Sequence, residues 1–361
     1  MKVVALTRTS SLGPSTRYRV EQYRPALARE GIEVVTRPLF GPLWFTILGL
    51  RPAWLRLPAK ALYSLVRLVA RLGQLARLPL DRPDLVLVEQ QLFPYLPGWV
   101  EALLWPRVAP TLLEFDDAIF LTWGHAAKLR RLCGLADVVQ VGNDFLADFA
   151  RATARQVRVV PTTVDPARYH GPVAPRDDDV LRVAWIGLPY NLGYLDVLAE
   201  PLAALAAAGR RCQLRVISSA LPDDLSRFAG VDVVLRPWSE AGEADELRAC
   251  DVGVMPLPDT PWAAGKCGLK LLQCMAAGLA VVASPVGVNT DIVRDGEHGL
   301  LAATPAEWRS ALERLAADPD LRARLGAAGR RRVAERYSLE RGARLVAETY
   351  RLACPPRRPP A

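Results

Sequence analysis

The sequence predicts an α/β protein of two domains, each built on a parallel sheet. The chain has 361 residues, which is too long for one ordinary hydrophobic core and fits two domains of about 150 to 200 residues. Short apolar runs recur in both halves, and each ends in a loop that carries polar residues. A stretch rich in Pro and Asp, residues 166–180, is predicted to link the two halves, 1–165 and 181–336.

The charge balance favours anionic partners. The chain carries 46 Lys and Arg against 38 Asp and Glu, a formal net charge of +8. Such a balance attracts nucleotides, phospholipid head groups or nucleic acid. Nucleic acid is the least favoured of the three, because the basic residues fall in an apolar setting and no recognised nucleic-acid module is present.

The cysteines, histidines and first residues predict a cytoplasmic protein without a metal site or other cofactor. None of the six Cys forms a C-x-x-C pair, and most lie within apolar runs, as reduced thiols do. None of the three His stands at metal-ligand spacing from another. Arg8 interrupts the first apolar run, so we expect no secretory signal, and no apolar run has the length of a membrane span.

The chain opens with the pattern of a Rossmann-like domain. A strand is predicted at Val3–Thr7, then a loop that contains Gly13, then a helix at Val20–Glu30. The G-x-G-x-x-G fingerprint is absent, which argues against a nicotinamide enzyme. Arg17 and Arg19 are either anion contacts or exposed arginines of an ordinary turn.

Residues 41–80 form a basic segment of a different character. The segment has no acidic residue and six basic ones: Arg51, Arg56, Lys60, Arg67, Arg71 and Arg77. Its second half predicts an apolar helix with one polar stripe, made of Lys60, Ser64, Arg67, Arg71 and Gln74. A basic helix with aromatic and Leu neighbours is typical of a segment that lies on an anionic membrane. The alternative is a helix packed on the sheet with its arginines in water.

Polar loops follow the later strands of the first domain. These strands are predicted at Ile32–Val35, Leu85–Val88, Thr111–Phe115, Val138–Val141 and Val157–Val160. Ligands of open parallel sheets bind beyond the carboxyl ends of the strands, which makes Asp116 and Asp117 candidate site residues. They either orient hydroxyl groups of a ligand, or one caps the next helix and the other is solvated. His125 is either a general acid or a ligand contact, or a surface histidine.

The second domain is predicted to contain six strands. They are placed at Arg182–Ile186, Leu214–Ser218, Val231–Leu235, Val252–Met255, Ala280–Ala283 and Leu300–Ala302. A last amphipathic helix is predicted at 337–354, and the Pro- and Arg-rich tail 355–361 is expected to be disordered.

Residues 259–284 are the stretch with the clearest chemistry. They predict a loop, a short helix ended by Gly278 and a strand buried on both faces. Lys266, Lys270 and Gln273 are spaced to share one side of the first helical turns. Cations at a helix start oppose the helix dipole, and a bound phosphate resolves that conflict. The alternative is a solvated basic helix start paired with acids elsewhere.

The run Gln273-Cys-Met-Ala-Ala-Gly-Leu-Ala-Val-Val-Ala283 resembles the donor-binding segment of the GT-B glycosyltransferases, in particular the retaining family 4. Gln273 stands where the family has the Glu that holds the nucleotide ribose, and Gly265 where a second Glu contacts the donor sugar. Gln273 can still accept a hydrogen bond from a ribose hydroxyl, whereas Gly265 offers backbone alone. The loop from Trp185 to Gly193 takes the place of a family phosphate loop and lacks both of its cations.

The resemblance extends over both halves of the chain. Glu114–Phe120, Val141–Leu146 and Val160–Asp165 look like recurring phrases of one bacterial branch of family 4. The implied fold is GT-B, in which two Rossmann-like domains face one another across a cleft and the C-terminal helix crosses back to the first domain. The implied activity is retaining transfer of a sugar from a nucleotide-diphosphate donor to an acceptor, without a metal. A membrane-bound segment 41–80 would imply a lipid-linked acceptor and cell-envelope synthesis at the cytoplasmic face of the inner membrane.

The resemblance also implies a set of site residues. The donor residues are Gly187, Trp238, Gly265, Lys266, Cys267, Gly268, Lys270 and Gln273. The acceptor residues are Gly13, Arg17, Asp116, Asp117 and His125. Lys266 and Lys270 are expected to stabilise the departing diphosphate, and Asp116 completes the catalytic set. Two alternatives stay open, a nucleotide-sugar-binding protein without turnover and another GT-B enzyme such as a sugar epimerase.

Overall fold

The computed structural model describes residues 1–50, 52–122, 124–171 and 178–354. Arg51, part of the linker 166–180 and the tail 355–361 lie outside the described residues. The chain forms two compact units, one of Met1–Thr162 with Glu340–Ala361 and the other of Thr163–Leu339. The C-terminal helix therefore belongs by its contacts to the first unit.

The described part of the first unit contains one parallel sheet in the order β2-β1-β3-β4-β5-β6. Its strands are β1 Lys2–Leu6, β2 Glu33–Thr36, β3 Leu85–Glu89, β4 Thr111–Phe115, β5 Val138–Val141 and β6 Val157–Val159. Central strands β1, β3 and β4 are almost wholly buried. Strands buried on both faces are continuous apolar runs, which is why the sequence located them to within one or two residues.

Eight α-helices of the described chain belong to the first unit. They are α1 Pro14–Arg19, α2 Arg24–Arg29, α3 Leu43–Leu48, α4 Ala53–Asp81, α5 Gly98–Leu103, α6 His125–Leu135, α7 Asp144–Arg151 and α15 Leu339–Ala353, with 3-10 helices at Glu21–Tyr23 and Ile119–Leu121. The single helix expected at Val20–Glu30 is wrong. Pro14 and Pro25 each stand at the start of a short helix, where a residue without an N–H fits best, so the chain divides there into separate pieces.

Arg17 and Arg19 are both buried, so the alternative of exposed arginines in an ordinary turn is wrong. Arg19 Nε lies 2.6 Å from Glu114 Oε1, and its Nη1 donates to the Val160 carbonyl at 2.7 Å. The Arg17 guanidinium is 5.0 Å from the centre of the Tyr18 ring. A buried cation requires close partners because desolvation is costly, so Arg19 serves the core of this unit and not a ligand.

The described part of the second unit contains a parallel sheet in the order β12-β11-β10-β7-β8-β9. Its strands are β7 Val180–Ile186, β8 Arg211–Ser218, β9 Asp232–Pro237, β10 Val252–Met255, β11 Ala280–Ala283 and β12 Leu300–Leu301. A hydrophobic core packs against this sheet and includes the buried Trp185 and Trp308. Strands β7, β8, β10 and β11 contribute apolar side chains to it.

The described helices of the second unit are α8 Ala199–Ala207, α9 Glu243–Arg248, α10 Pro261–Ala264, α11 Leu269–Ala277, α12 Asn289–Ile292, α13 Pro305–Ala317 and α14 Pro319–Arg336, with 3-10 helices at Pro166–Tyr169 and Pro189–Leu198. Gly278 ends α11 with a left-handed φ of 83°, as the sequence predicts. Thr304 and Glu307 form a reciprocal capping box at the start of α13.

Helix α4 lies with its polar stripe against the unit and its apolar side outward. Arg71 is fully buried, and its guanidinium donates to the Thr7 carbonyl at 2.6 Å and the Arg37 carbonyl at 3.1 Å. Arg67 donates to the carbonyls of Leu39 and Pro38 at 2.6 and 3.0 Å. The alternative of arginines in water is wrong for these two residues, because both guanidinium groups donate to backbone carbonyls of the unit.

None of the described helices combines the length and the apolar composition needed to span a bilayer.

We predict that Arg71→Met lowers the free energy of unfolding by about 2 kcal/mol, since hydrogen bonds from a charged donor contribute about 1.5–3 kcal/mol. Arg77→Met on the same helix is the matched control. Its side chain is 70% exposed, so its effect is expected within about 0.5 kcal/mol. Urea unfolding followed by circular dichroism measures both, and equal effects of the two changes would contradict the inward anchoring of α4.

Candidate functional site

The basic turn of the second unit lies at the start of helix α11. The helix begins at Leu269, so Lys270 and Gln273 lie on its turns, whereas Lys266 precedes it and does not share the first turns as expected. Gly268 has a left-handed φ of 71°, and a Cβ there would collide with Ile292. This glycine breaks the predicted run of helix and lets the chain enter α11 sharply. The positive end of the α11 dipole therefore lies in the same turn as the two lysines.

Lys270 lies against the loop that follows β7. Its ammonium nitrogen is 4.5 Å from the centre of the Trp185 ring, a cation–π contact. A Cβ on Gly187 would collide with that same nitrogen and would lie 2.6 Å from Cη2 of Trp185. Gly187 therefore leaves the space that the ammonium group occupies, and Lys270 places a cation on the loop that has none of its own.

Gly265, Lys266 and Cys267, which are also expected at the basic turn, lie just before α11. Gly265 is buried, and its carbonyl is 3.9 Å from the Cys267 sulfur. The ammonium group of Lys266 is 5.7 Å from the centre of the Trp262 ring. Lys266 is thus held over an aromatic ring as Lys270 is, but its ring belongs to helix α10, whereas Trp185 belongs to strand β7.

Gln273 and Trp238 belong to one buried hydrogen-bond network. Gln273 Nε2 donates to the Tyr169 hydroxyl at 3.2 Å, which donates to Glu243 Oε1 at 3.0 Å. Trp238 Nε1 donates to Glu243 Oε2 at 2.8 Å. Arg168 also reaches this carboxylate, at 3.5 Å. A buried carboxylate with these donors fixes the positions of both Gln273, the predicted ribose contact, and Trp238, a predicted donor residue.

Sequence reasoning missed the two residues that link this network. Tyr169 lies in the predicted linker, where no periodicity marks it. Glu243 lies in an acidic stretch whose composition is typical of a solvated helix start, yet the residue is only 1% exposed. No local signal separates this buried carboxylate from its exposed neighbours, because two of its donors, Arg168 and Tyr169, lie more than seventy residues away.

A second polar group lies at the carboxyl edge of the first sheet. Glu89, the last residue of β3, is 1% exposed. Its carboxylate accepts the Thr16 hydroxyl at 2.7 Å and the Arg8 backbone N–H at 2.9 Å. Gln90 follows with a left-handed φ of 61°, which is strained for a residue with a side chain. Its amide oxygen accepts from the Arg8 guanidinium.

Burial controls the protonation of the acids in this group. Desolvation raises the pKa of Glu89 to about 7, and the Thr16 hydroxyl and the Arg8 N–H oppose the rise. Desolvation likewise raises the pKa of Glu114 to about 8 against the pull of Arg19. The charge of Asp116 raises both pKa values, so three acids of neighbouring strand ends influence one another.

The other residues predicted on this edge are only partly brought together. His125 begins α6, and its Nδ1 lies 2.9 Å from the Thr122 hydroxyl and 3.4 Å from Gln91 Nε2. Burial and the charge of Lys128 lower the pKa of His125. Asp117 is half-buried and does not cap the 3-10 helix that follows, which has no side-chain cap.

The space beside Gly13 is filled by the protein itself. A Cβ on Gly13 would collide with the Thr9 hydroxyl, which contacts the Thr16 hydroxyl at 3.0 Å. The glycine thus permits close packing of its own loop. Within the described residues, no group of three or more His, Cys, Asp or Glu is arranged to hold a metal ion.

Comparison with known proteins identifies the family. Residues 181–318, which include the basic turn and Glu243, match the family model described as glycosyl transferases group 1. A D-inositol 3-phosphate glycosyltransferase of Saccharomonospora viridis is 32% identical over 295 residues, which are 71% of this chain and 67% of the relative. The chain belongs to the group 1 glycosyltransferases. The relative of the same description in Stackebrandtia nassauensis is 32% identical over 60% of this chain, and the match spans 55% of that protein.

Solved structures show the fold of this group 1 member. Sucrose-phosphate synthase from Thermosynechococcus elongatus matches with a TM-score of 0.71 at 19% identity, over 98% of each chain. HepE from Anabaena, solved in complex with UDP and glucose, matches with a TM-score of 0.67 at 15% identity over 97% of this chain and 99% of that one. The fold is GT-B, with two parallel six-stranded sheets in the described residues, as the resemblance implies.

We predict that Gly187→Ala displaces Lys270 and weakens nucleotide binding to this transferase at least tenfold. The added methyl group collides with the Lys270 ammonium and the buried Trp185 ring, and such overpacking also costs about 1–3 kcal/mol of stability. Gly193→Ala in the same loop is the control, because a Cβ there meets nothing within 4 Å. Calorimetric titration with UDP measures both changes, and equal affinities would contradict a role of the Gly187 space.

We predict that the transferase loses stability as the pH rises from about 5 to 8, in part through Glu89. The pKa of Glu89 is raised on folding from an ordinary value of 4.5 to about 7. The stabilisation is therefore fully present below pH 4.5 and is lost as the pH rises through 7. Urea unfolding of the wild type and Glu89→Gln at pH 6 and 8.5 checks this, because the neutral variant should show a smaller pH difference. An unchanged difference would contradict the raised pKa.

Proposed function

We propose that the protein transfers a sugar from a nucleotide-diphosphate sugar to an acceptor, with retention of anomeric configuration, as a family 4 hexosyltransferase. The observation that carries the proposal is the placement of Lys270 against Gly187 and Trp185, beside the positive end of α11. An ammonium group and a helix start together form an anion site that fits a diphosphate. Family membership supports the same donor class.

The proposed chemistry is electrostatic. Negative charge develops on the diphosphate as the bond to the sugar breaks, and fixed positive groups stabilise it more than they stabilise the bound donor. Lys270 and Lys266 are assigned this role, together with the N–H groups of the first α11 turn. In the retaining mechanism attributed to this family, a diphosphate oxygen accepts the acceptor proton, so the proposal needs neither a separate base nor a metal.

The nucleoside is assigned to the network around Glu243. Trp238 is assigned to the base and Gln273 to the ribose, and hydrogen bonds to Glu243 and Tyr169 hold these two side chains. The amide oxygen of Gln273 can accept a ribose hydroxyl, as the carboxylate of other family members does. UDP is the first nucleotide to test, since HepE was solved with it.

The acceptor is assigned to the polar edge of the first unit. Asp116 is the proposed contact for an acceptor hydroxyl, with Asp117, Arg17 and His125 as further candidates. Burial lowers the pKa of His125, which favours a neutral imidazole at neutral pH. Neutral imidazole can both donate to and accept from sugar hydroxyls.

We also propose a lipid-linked acceptor and peripheral membrane contact through residues 41–80, at the cytoplasmic face of the inner membrane. The segment carries basic residues and no acid, as a segment that binds anionic lipid requires. Cell-envelope polysaccharide or glycolipid synthesis is the process that such an acceptor serves.

We predict that one nucleotide of a panel of UDP, GDP, ADP and their sugars raises the melting temperature, and that Lys270→Ala abolishes the shift. A ligand that binds only the folded state stabilises it by mass action, about 2.7 kcal/mol at a hundred times the dissociation constant. Lys60→Ala is the matched control, because Lys60 lies over Trp44 as Lys270 lies over Trp185, with its nitrogen 5.7 Å from the ring centre. Loss of the shift in both variants would contradict the assignment of Lys270.

A transfer and hydrolysis assay with the selected donor distinguishes the alternatives. Nuclear magnetic resonance of the product reports the anomeric configuration and tests retention. Binding without turnover, with or without acceptor, would identify a nucleotide-sugar-binding protein that has lost activity. Conversion of the donor into another nucleotide sugar would identify an epimerase.

A further inference from the structure

We propose that the outward apolar stripe of helix α4 inserts into a membrane surface that contains anionic lipids. The stripe is defined as the exposed apolar side chains of this helix: Trp54, Leu55, Leu57, Leu62, Leu65, Val66, Val69, Leu72 and Leu80. This proposal rests on the proposed function. It names the face of the protein that would contact the membrane in which a lipid-linked acceptor lies.

The orientation of α4 is the first observation. A helix on the surface of a protein normally buries its apolar side and exposes its charges. Helix α4 does the opposite: Arg71 and Ser64 are buried, whereas Leu65 and Val69 are 61% and 63% exposed. The inward arginines are fixed on backbone carbonyls of Thr7 and Leu39. The apolar side cannot turn inward without breaking these contacts, so its exposure is built into the fold.

The size of the stripe is the second observation. From Trp54 to Leu80 the helix is about 40 Å long at 1.5 Å per residue. Nine large apolar side chains along this length exceed the scattered apolar residues of an ordinary surface. A helix of this length that lies in the plane of the interface and buries one apolar side matches the monotopic mode of membrane binding.

Charge favours a lipid surface over a second copy of the chain. Residues 41–80 contain no acid. Arg77 on this helix is 70% exposed, and the one acid of the helix, Asp81 at its last position, lies 3.6 Å from it. In a symmetric dimer the same patch meets itself, so basic residues beside one stripe would meet basic residues beside the other. Anionic head groups instead complement them. Trp54, which is 70% exposed at one end of the stripe, is a residue type favoured at the membrane interface.

Hydrogen bonds also connect the helix that carries the stripe to the proposed acceptor edge. Arg71 donates to the carbonyl of Thr7, and the next residue, Arg8, contacts Glu89 and Gln90 through its backbone and side chain. A membrane bound at α4 is therefore held beside the end of β1, in the unit that carries Asp116. This placement suits an acceptor whose sugar projects from a lipid head group.

The experiment is flotation of the full chain with vesicles of phosphatidylcholine alone or with 30% phosphatidylglycerol. We expect the wild type to float with the anionic vesicles and the double variant Leu65→Gln and Val69→Gln to bind them at least tenfold more weakly. The substitution is neutral, so only apolar contact is lost. Leu225→Gln, on an exposed leucine of the second unit, is the control and should bind as the wild type does. Arg77→Gln should weaken binding about fivefold, the factor that corresponds to one basic residue at an anionic surface.

Three results would overturn the proposal. One is the absence of wild-type flotation, and another is equal binding by the double variant. The third is a sedimentation measurement in which the wild type is a dimer and the double variant is a monomer, since the stripe would then bind a second copy of the chain. The nucleotide-induced melting shift, measured on the same variants without vesicles, should be unchanged. A lost shift would count against the proposed function, and a retained shift without flotation would count against the membrane surface alone.

Discussion

The parallel order of the strands is the constraint on which the candidate sites depend. In the described residues every ladder of both sheets is parallel, so the loops that follow the strands collect at one edge of each sheet. Glu89 and Asp116 are neighbours on one edge because β3 and β4 pair directly. Gly187 follows β7 on the other sheet, and β7 pairs with β10, whose chain continues into the basic turn. The chemistry of each unit thus follows from strand order and not from nearness in sequence.

Strands were predictable because burial on both faces leaves a local signature. Thr111–Phe115, Val252–Met255 and Ala280–Ala283 were located to the residue, since each is mostly apolar and is followed by polar or turn-forming residues. The start of α11 was less predictable, because the spacing of Lys266 and Lys270 fits a helix equally well whether or not Gly268 interrupts it. The left-handed conformation of Gly268 is a property of the backbone, and the spacing of side chains in the sequence does not reveal it.

The orientation of α4 was not predictable from its pattern. A polar stripe on an apolar helix defines two faces, but the pattern does not say which face meets the protein. The choice depends on the segment 37–39, whose carbonyls accept hydrogen bonds from Arg67 and Arg71. Arginine suits this role because its planar fork of donors reaches several carbonyls at once. The same limit explains why the burial of Arg19 and Glu243 could not be predicted. The acid that pairs with Arg19 and the tyrosine that donates to Glu243 each lie more than seventy residues away.

Charge balance accounts for the departures of the donor segment from the family pattern. Two carboxylates of that pattern are replaced here by Gln273 and Gly265, and the loop after β7 lacks two cations of the pattern. The missing acids and the missing cations are equal in number, so the departures do not change the net charge relative to the pattern. Lys270 occupies the space beside Gly187, so the second sheet still presents a cation next to a loop that has none of its own.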